Sequence, residues 1–200
     1  MEILQIARGD RFCFKVANVN RECLLDRTIP SMNTLIEANL SCLEQGITLL
    51  EAISQSVYAR TCSEIFGSSI GGHFRHNLDH YIAFMNGFES SEIDYDSRER
   101  RETMEEDPSE ASRVMARLSI FLKQISGRDL DQPLRIRMDD GGDSHWSQTS
   151  LRRELQFLLS HTIHHYALVV AIATRYGINE FPNGFGVAPS TLHYREVKGA

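Results

Sequence analysis

The chain has 200 residues, of which 42% are hydrophobic and 24% are charged, and its formal net charge at pH 7 is -6. This length and composition are typical of one folded domain with a substantial core, and they argue against a disordered chain. The acidic balance argues against a general nucleic-acid binder and against a protein that binds anionic membranes, because both normally carry a basic surface. We therefore expect a single domain over residues 1–200 that binds neither nucleic acid nor membranes.

Two further features of the sequence bear on the compartment in which the protein works. No apolar run reaches the roughly 18 residues of a membrane span, and the N-terminus lacks the basic and apolar segments of a secretory signal. We therefore expect a cytoplasmic protein. The cysteines are widely spaced and form no CxxC pair, so we expect reduced side chains that pack in the interior. They are Cys13, Cys23, Cys42 and Cys62.

The first half of the chain contains an irregular start and two predicted helices. Residues 1–30 alternate only weakly between apolar and polar types, which predicts a short hairpin or an extended arm. Apolar residues then keep a helical period over residues 31–60, and Ser31 can cap the start of that helix. A second helix is expected from near Ser69 to Gly87, where glycine suits the end of a helix.

A charged connector and a third helix follow. Residues 89–106 are dense in acidic and basic side chains of mixed sign, which predicts a solvated crossover between helices. Asp107, Pro108 and Glu110 form a strong helix start, because aspartate caps, proline suits the first helical position and glutamate lies in the first turn. We expect the third helix to end at Gly127.

The last part of the chain contains a short strand, a long helix and a tail. Apolar residues alternate with arginines from Leu134 to Met138, which predicts a strand before the next helix. The fourth helix is expected over residues 150–177, and glycine at its end fits a C-terminal cap. Residues 178–200 contain several glycines and prolines, so we expect an irregular arm there.

Four amphipathic helices joined by connectors of unequal length predict an all-α protein, a four-helix bundle with short β ornaments at the N-terminus and before helix four. The bundle is expected at about residues 31–177, with an N-terminal arm at residues 1–30 and a C-terminal tail at residues 178–200. Bundles of this kind commonly build metal sites from side chains on facing helices.

The fourth predicted helix carries a pair of histidines with the spacing of metal ligands. His161 and His165 are four residues apart, so their imidazoles lie one turn apart on one face of the helix. Neutral imidazole is the commonest metal ligand in proteins. The pair therefore predicts part of a metal site.

A second histidine cluster lies on the second predicted helix. His73, His76 and His80 follow at intervals of three and four, so all of them lie roughly along one face. One imidazole from this helix and two from the fourth would make a three-histidine site with open positions, as in catalytic zinc sites. Spacing alone leaves open which of the three is the first ligand.

Two motifs resemble those of the DinB/YfiT-like proteins, four-helix bundles that typically carry a three-histidine metal site. The run from Ser69 to His76 is similar to the start of that family's second helix, in which Ser-Ile is followed six residues later by a ligand histidine, with aspartate three residues further on. The run from Ser160 to Tyr166 is similar to the HxxxH of its fourth helix, although Tyr166 and Ala167 replace the Arg-Gly often found there. The resemblance covers about residues 31–177.

The resemblance implies a divalent metal, Ni, Zn, Fe or Mn, with the ligands His76, His161 and His165. His73, Asp79 and His80 are then alternative ligands or residues that surround the ligands. Asp79 can accept a hydrogen bond from the second ring nitrogen of a ligand, which is common around metal-bound imidazole. His164 points about 100° away from its neighbours on the helix and is expected to pack beside the site.

The same resemblance implies the type of activity. Relatives include thiol-dependent transferases and isomerases, so we expect an S-transferase-like enzyme that uses a low-molecular-weight thiol, or a hydrolase that acts on a small molecule. No general base stands out, although His73, His80, Tyr81 and Asp79 are candidates. The alternative is a non-catalytic, metal-binding bundle that acts as a stress-linked homodimer or binds a partner.

Other metal chemistries fit the sequence less well. Thr162 occupies the position that glutamate would hold in an HExxH protease. The Glu-x-x-His pairs of di-iron carboxylate bundles are also missing from both histidine-bearing segments.

Overall fold

The computed structural model describes residues 34–65, 67–97, 102–139, 141 and 145–199. The helices in this part of the chain are α1 (Thr34–Ala52), α2 (Gln55–Tyr58), α3 (Ile70–Gly87), α4 (Thr103–Glu106), α5 (Pro108–Gln124), α6 (Leu151–Arg175) and α7 (Pro189–Lys198). The strands are β1 (Glu92–Asp94), β2 (Pro133–Arg137) and β3 (Trp146–Ser150). Residues 32–200 form one compact unit. The arm and hairpin expected at residues 1–30 lie outside the described residues, and a single domain over the whole chain stays a prediction.

The four long helices pack as a bundle in which each helix has two neighbours. α1 packs against α5 and α6, and α3 packs against the same two helices. The prediction of a mainly helical bundle, with a short β element before its last long helix, is therefore confirmed. Because α3 and α6 are neighbours, their histidine clusters lie on facing helices.

The starts of the long helices follow from side chains that cap the backbone. The Ser69 hydroxyl accepts a hydrogen bond from the Gly72 amide at 2.8 Å, and the Asp107 carboxylate accepts one from the Ser109 amide at 2.8 Å. The Ser150 hydroxyl likewise accepts from the backbone amide of Arg153. Each cap satisfies an amide that has no partner within its own helix, and the starts predicted for these three helices are confirmed.

The first predicted helix is shorter than expected. α1 ends at Ala52, Ser54 has an extended backbone, and the short helix α2 follows. The break turns Tyr58 into the core, where it is fully buried and its hydroxyl donates to the carbonyl oxygen of Met104. The prediction of one continuous helix to about residue 60 was therefore wrong beyond Ala52.

The charged connector is more ordered than a solvated crossover. It contains β1 and α4, and three of its side chains, Ile93, Tyr95 and Met104, are buried. β1 pairs with β2 in parallel, and β2 pairs with β3 in antiparallel orientation. The prediction was wrong here because charged residues alternate with buried ones, as they do on a strand with one face in water.

A buried carboxylate ties this small sheet to α6. Glu154, in the first turn of α6, is 1% exposed. It accepts hydrogen bonds from the hydroxyl of Tyr95 at 2.8 Å and from the hydroxyl of Thr149 at 2.6 Å. A buried charge is costly unless it is hydrogen-bonded, so these contacts fix the sheet against the N-terminal end of α6.

Close contact between α1 and α6 depends on a glycine. The hydroxyl of Tyr166 is buried and donates to the carbonyl oxygen of Cys42 at 3.0 Å. A Cβ atom at Gly46 would lie 2.8 Å from the Met115 sulfur and would also collide with that hydroxyl. Glycine therefore costs some helix propensity in α1 but allows Tyr166 to reach the backbone of the facing helix.

The tail is partly irregular and partly helical. Residues 178–188 are irregular, and the ring of Phe185 stacks on that of Tyr166 at a centroid distance of 4.1 Å. α7 follows, with Pro189 at its first position and Gly199 in the left-handed conformation at its end. The prediction of an irregular arm was therefore wrong for α7, which buries no side chain.

α6 is long and apolar enough to cross a membrane by length and composition alone. In the bundle its apolar side chains pack against α1 and α3, which is the position of a core helix. The core helices of bundles are commonly this long and apolar, so the helix is weak evidence for a membrane span.

Buried Cys42 and Cys62 are free thiols, as predicted.

Candidate metal centre

The packing of α3 against α6 brings three imidazoles together. The ring centroid of His76 lies 5.1 Å from that of His161 and 4.7 Å from that of His165. The rings of His161 and His165, one turn apart on α6, are 4.4 Å apart. His165 is buried, while His76 and His161 are half-buried, so the group lies at the edge of the core with one side toward solvent.

The donor set and spacing of this group fit a divalent ion. One ring nitrogen from each of His76, His161 and His165 lies within 4.8 Å of the other two. Two nitrogens bound to one tetrahedral zinc ion are about 3.4 Å apart, given zinc–nitrogen bonds of about 2.0 to 2.1 Å. Small side-chain rotations would close the difference. Three neutral imidazoles leave a coordination position for water or substrate.

The surroundings hold His165 in its neutral form. Burial, and after it charge repulsion from neighbouring imidazoles, together lower the pKa of His165 to about 3; these imidazoles are His161, His76, His73 and His164. Near neutral pH the imidazole therefore carries no positive charge, which is the form that binds metals.

His73 lies beside this group rather than within it. Its Nδ1 atom is 3.0 Å from Nδ1 of His165, with a ring centroid distance of 5.3 Å. Burial, and then charge repulsion from His164, lower the pKa of His73. Of the alternatives that spacing left open, the structure brings His76 into the three-nitrogen group.

His80 packs against the other side of the group. Its Nδ1 lies 2.8 Å from the carbonyl oxygen of His76, so this nitrogen must donate the proton. The ring centroid of His80 is 4.3 Å from that of His161 and 4.8 Å from that of His76. Backbone bonds of this kind fix the orientation of an imidazole beside a metal site.

Asp79 is buried beside an arginine. Its carboxylate lies 3.6 Å from a guanidinium nitrogen of Arg75, and Nε of Arg75 donates to Glu105 of α4 at 2.8 Å. The pair with Asp79 lies within α3, and the pair with Glu105 joins α3 to α4. The expected role of Asp79 in orienting a ligand imidazole stays a prediction.

Tyr81 lies in the core of the bundle, where it is fully buried. Its hydroxyl donates to the side-chain oxygen of Asn39 at 2.7 Å, and the hydroxyl of Thr162 is 3.1 Å away. Burial raises the pKa of Tyr81 well above its usual range. Tyr81 is therefore a hydrogen-bonded core residue that joins α1, α3 and α6, and its role as a candidate base stays a prediction.

Aromatic side chains form a wall next to His161 that the sequence analysis missed. Phe157 stacks on the ring of His161 at 5.5 Å, and its ring edge also meets His80 and Tyr95. The guanidinium of Arg153 lies over Phe157 at 5.9 Å. The signal was present, because Arg153, Phe157, His161 and His165 follow at intervals of four on one face of α6. Tyr95 gave no such signal within the charged connector.

His164 lies outside the three-nitrogen group, as its angle on the helix predicts. It is exposed, and its ring lies 5.2 Å from that of His165 in an edge-on arrangement.

Comparison with protein families gives one match that spans most of the bundle. The model of the DinB superfamily matches residues 43–169, a range that runs from α1 to α6 and contains both histidine clusters.

Comparison with individual proteins gives similarity in sequence and in fold. FK506-binding protein 5 of Rhizopus delemar is 36% identical over 105 residues, which cover 51% of this chain but 27% of that protein. The crystal structure of YjoA, a DinB-like protein from Bacillus subtilis, superposes with a TM-score of 0.57 at 21% identity. That alignment covers 75% of this chain and 96% of YjoA, and it supports the fold alone.

Proposed function

The chain belongs to the DinB superfamily, and on that premise we propose that it is a metal-dependent enzyme whose divalent ion is bound by His76, His161 and His165. The observation that carries the proposal is the convergence of three imidazoles, from two facing helices, with nitrogens within 4.8 Å of one another. Imidazole donors suit Zn, Ni and Fe, and the family resemblance adds Mn as a fourth candidate. All four remain candidates for the natural metal.

A divalent ion in this site would supply Lewis acidity, which lowers the pKa of a thiol or water beside it. The residues of the chain would control the charge state of a ligand, the orientation of the rings and the access of water. Burial keeps His165 neutral, and the backbone hydrogen bond of His80 fixes the ring that packs on His76 and His161. Phe157 and Tyr95 form an apolar wall that would exclude water from one side of a bound substrate.

We propose a small molecule as the substrate, in an S-transferase-like reaction with a low-molecular-weight thiol or in a hydrolysis. Two features support this class. The three-nitrogen group has a half-exposed edge formed by His76 and His161. The Arg153 guanidinium lies over Phe157, whose ring stacks on His161. A cation beside an apolar wall suits a small substrate that carries a carboxylate.

The test measures metal content and turnover together. The untagged protein and a His161→Ala/His165→Ala double variant are analysed for bound metal after incubation with Zn, Ni, Mn or Fe salts. We expect about one ion per chain in the natural protein and none in the double variant. Thiol-transfer and hydrolase substrates are then screened with each metal restored.

His164→Ala is the matched control, because it removes a histidine from the same helix at an exposed position. It should keep the metal and any activity. A double variant that retains its metal would overturn the proposed site. A metal-loaded protein without turnover on any thiol or hydrolase substrate would favour the non-catalytic alternative, and sedimentation would then test for a homodimer.

A further inference from the structure

The hydrogen bond between His73 and His165 joins two side chains that are both at least nine-tenths buried. His73 is 8% exposed and His165 is 9% exposed, and their Nδ1 atoms are 3.0 Å apart. Two neutral imidazoles can form this bond in either direction, because each ring carries one proton on one of its two nitrogens. The direction decides which nitrogen of His165 carries a lone pair.

Only one direction is compatible with metal binding by His165. If His165 donates from Nδ1, its Nε2 has a lone pair and can bind an ion. If His73 donates instead, the proton of His165 is on Nε2 and both of its nitrogens are occupied. In either direction Nε2 of His73 is buried and has no hydrogen-bond partner among the described residues.

The backbone that carries His73 is held in place. His73 lies in the first turn of α3, and its amide donates to the carbonyl oxygen of Ser69. At Gly71, two residues before His73, α3 lies so close to α4 that a Cβ atom on this residue would collide with the carbonyl oxygen of Glu105. A rigid backbone and a buried side chain are what a residue needs to orient a ligand accurately.

We propose that His73 is a positioning residue: it accepts the Nδ1 proton of His165 and so presents Nε2 of His165 to the ion. This rests on the proposed metal site of His76, His161 and His165. In this arrangement α3 supplies one ligand, His76, and also the partner that orients a ligand on α6. Groups that orient ligands in this way typically change metal affinity by about 10- to 100-fold when they are removed.

Two variants of His73 and one control test the role by metal affinity. His73→Leu has a similar volume and no acceptor, whereas His73→Asn keeps an oxygen near the position of Nδ1. Zinc affinity is measured by competition with a chromophoric chelator. We expect about 10- to 100-fold weaker binding for His73→Leu, recovery of most of that loss in His73→Asn, and natural affinity for the His164→Leu control.

Nitrogen NMR gives a second measurement that does not depend on any variant folding. In zinc-loaded protein labelled with ¹⁵N-histidine, His165 should carry its proton on Nδ1 and bind through Nε2. His73 should carry its proton on Nε2. A proton on Nε2 of His165 in the zinc-loaded protein would overturn the inference.

The affinities separate the other outcomes. Natural affinity in His73→Leu would show that the bond does not position His165. Complete loss of zinc in both His73→Leu and His73→Asn, with unchanged far-UV circular dichroism, would show that His73 is itself a ligand. If the natural protein binds no metal at all, both the proposed function and this inference fail. If the natural protein binds zinc and the His73 variants bind it equally tightly, only the inference fails.

Discussion

Both histidine clusters have helical spacing, but their members occupy different positions in the structure. On α3 all three histidines are buried or half-buried, and each has a different position: His73 against His165, His76 in the three-nitrogen group, and His80 against His161. On α6 two converge and His164 is exposed. Helical spacing therefore places imidazoles on a face, and the neighbouring helix decides what each one does.

The largest effect should come from the histidine of α3 that lies in the three-nitrogen group. His76→Ala removes one of the three proposed ligands, so we expect metal affinity to fall by more than the 100-fold or so that marks the loss of an orienting group. The measurement is zinc affinity by chelator competition. If His76→Ala bound zinc as tightly as the natural protein, the assignment of roles within the α3 cluster would be wrong.

The position of the α3 cluster depends on the close approach of α3 to α4. Gly71→Ala places a Cβ atom against the backbone of Glu105, so we expect a loss of about 3 kcal/mol in the free energy of unfolding, at the upper end for overpacking. Urea denaturation measures it. Gly127→Ala is the control, because its Cβ atom would meet no neighbour within 4 Å, and a Gly71→Ala protein as stable as that control would contradict the packing.

Metal removal tests whether the two clusters share an ion. A metal that binds only the folded state adds about 2.7 kcal/mol when its free concentration is 100 times the dissociation constant. A chelator should therefore lower the melting temperature of the natural protein by several degrees. It should leave the melting temperature of the His161→Ala/His165→Ala variant unchanged, and an equal shift in both would contradict a shared ion.

The small sheet stabilises the N-terminal end of α6, the helix that carries the second cluster. Tyr95→Phe removes one of the two hydroxyls that donate to buried Glu154, so we expect a loss of about 1 to 3 kcal/mol in the free energy of unfolding. Zinc affinity should change little, because Tyr95 contacts His80 and Phe157 but lies outside the three-nitrogen group. A large loss of zinc affinity would instead place Tyr95 within the site.

The smallest effect is expected at the exposed histidine of α6. His164→Ala should change the free energy of unfolding by no more than about 0.5 kcal/mol, as is usual for surface substitutions. It is measured beside the other variants in the same urea titration. A larger change in the free energy of unfolding would mean that His164 contributes to the packing of the bundle and is not a surface residue.

Local signals predicted most of the fold and part of the site. Helix starts at Ser69, Asp107 and Ser150 were predicted because a cap depends on a few neighbouring residues. The pair His161 and His165 was predicted for the same reason. Which histidine of α3 faces that pair depends on how α3 is rotated against α6, and this follows from packing rather than from spacing.

Other elements were missed because their signals are weak or non-local. β1 is short, and its pairing with β2 joins segments about 40 residues apart in sequence. In the sequence, Ile93 and Tyr95 are apolar residues surrounded by charged ones, and their burial follows only from the formation of the sheet. α7 followed a glycine- and proline-rich stretch, and the proline that suggested an irregular arm is at the first position of the helix.

The contact between Gly46 and Tyr166 also has an evolutionary consequence. Because the tyrosine hydroxyl occupies the space that a side chain at position 46 would fill, position 46 cannot gain a side chain while that hydroxyl is present. Among related chains, a larger residue at position 46 should accompany a residue without that hydroxyl at position 166. The two positions should therefore covary, although 120 residues separate them in the sequence.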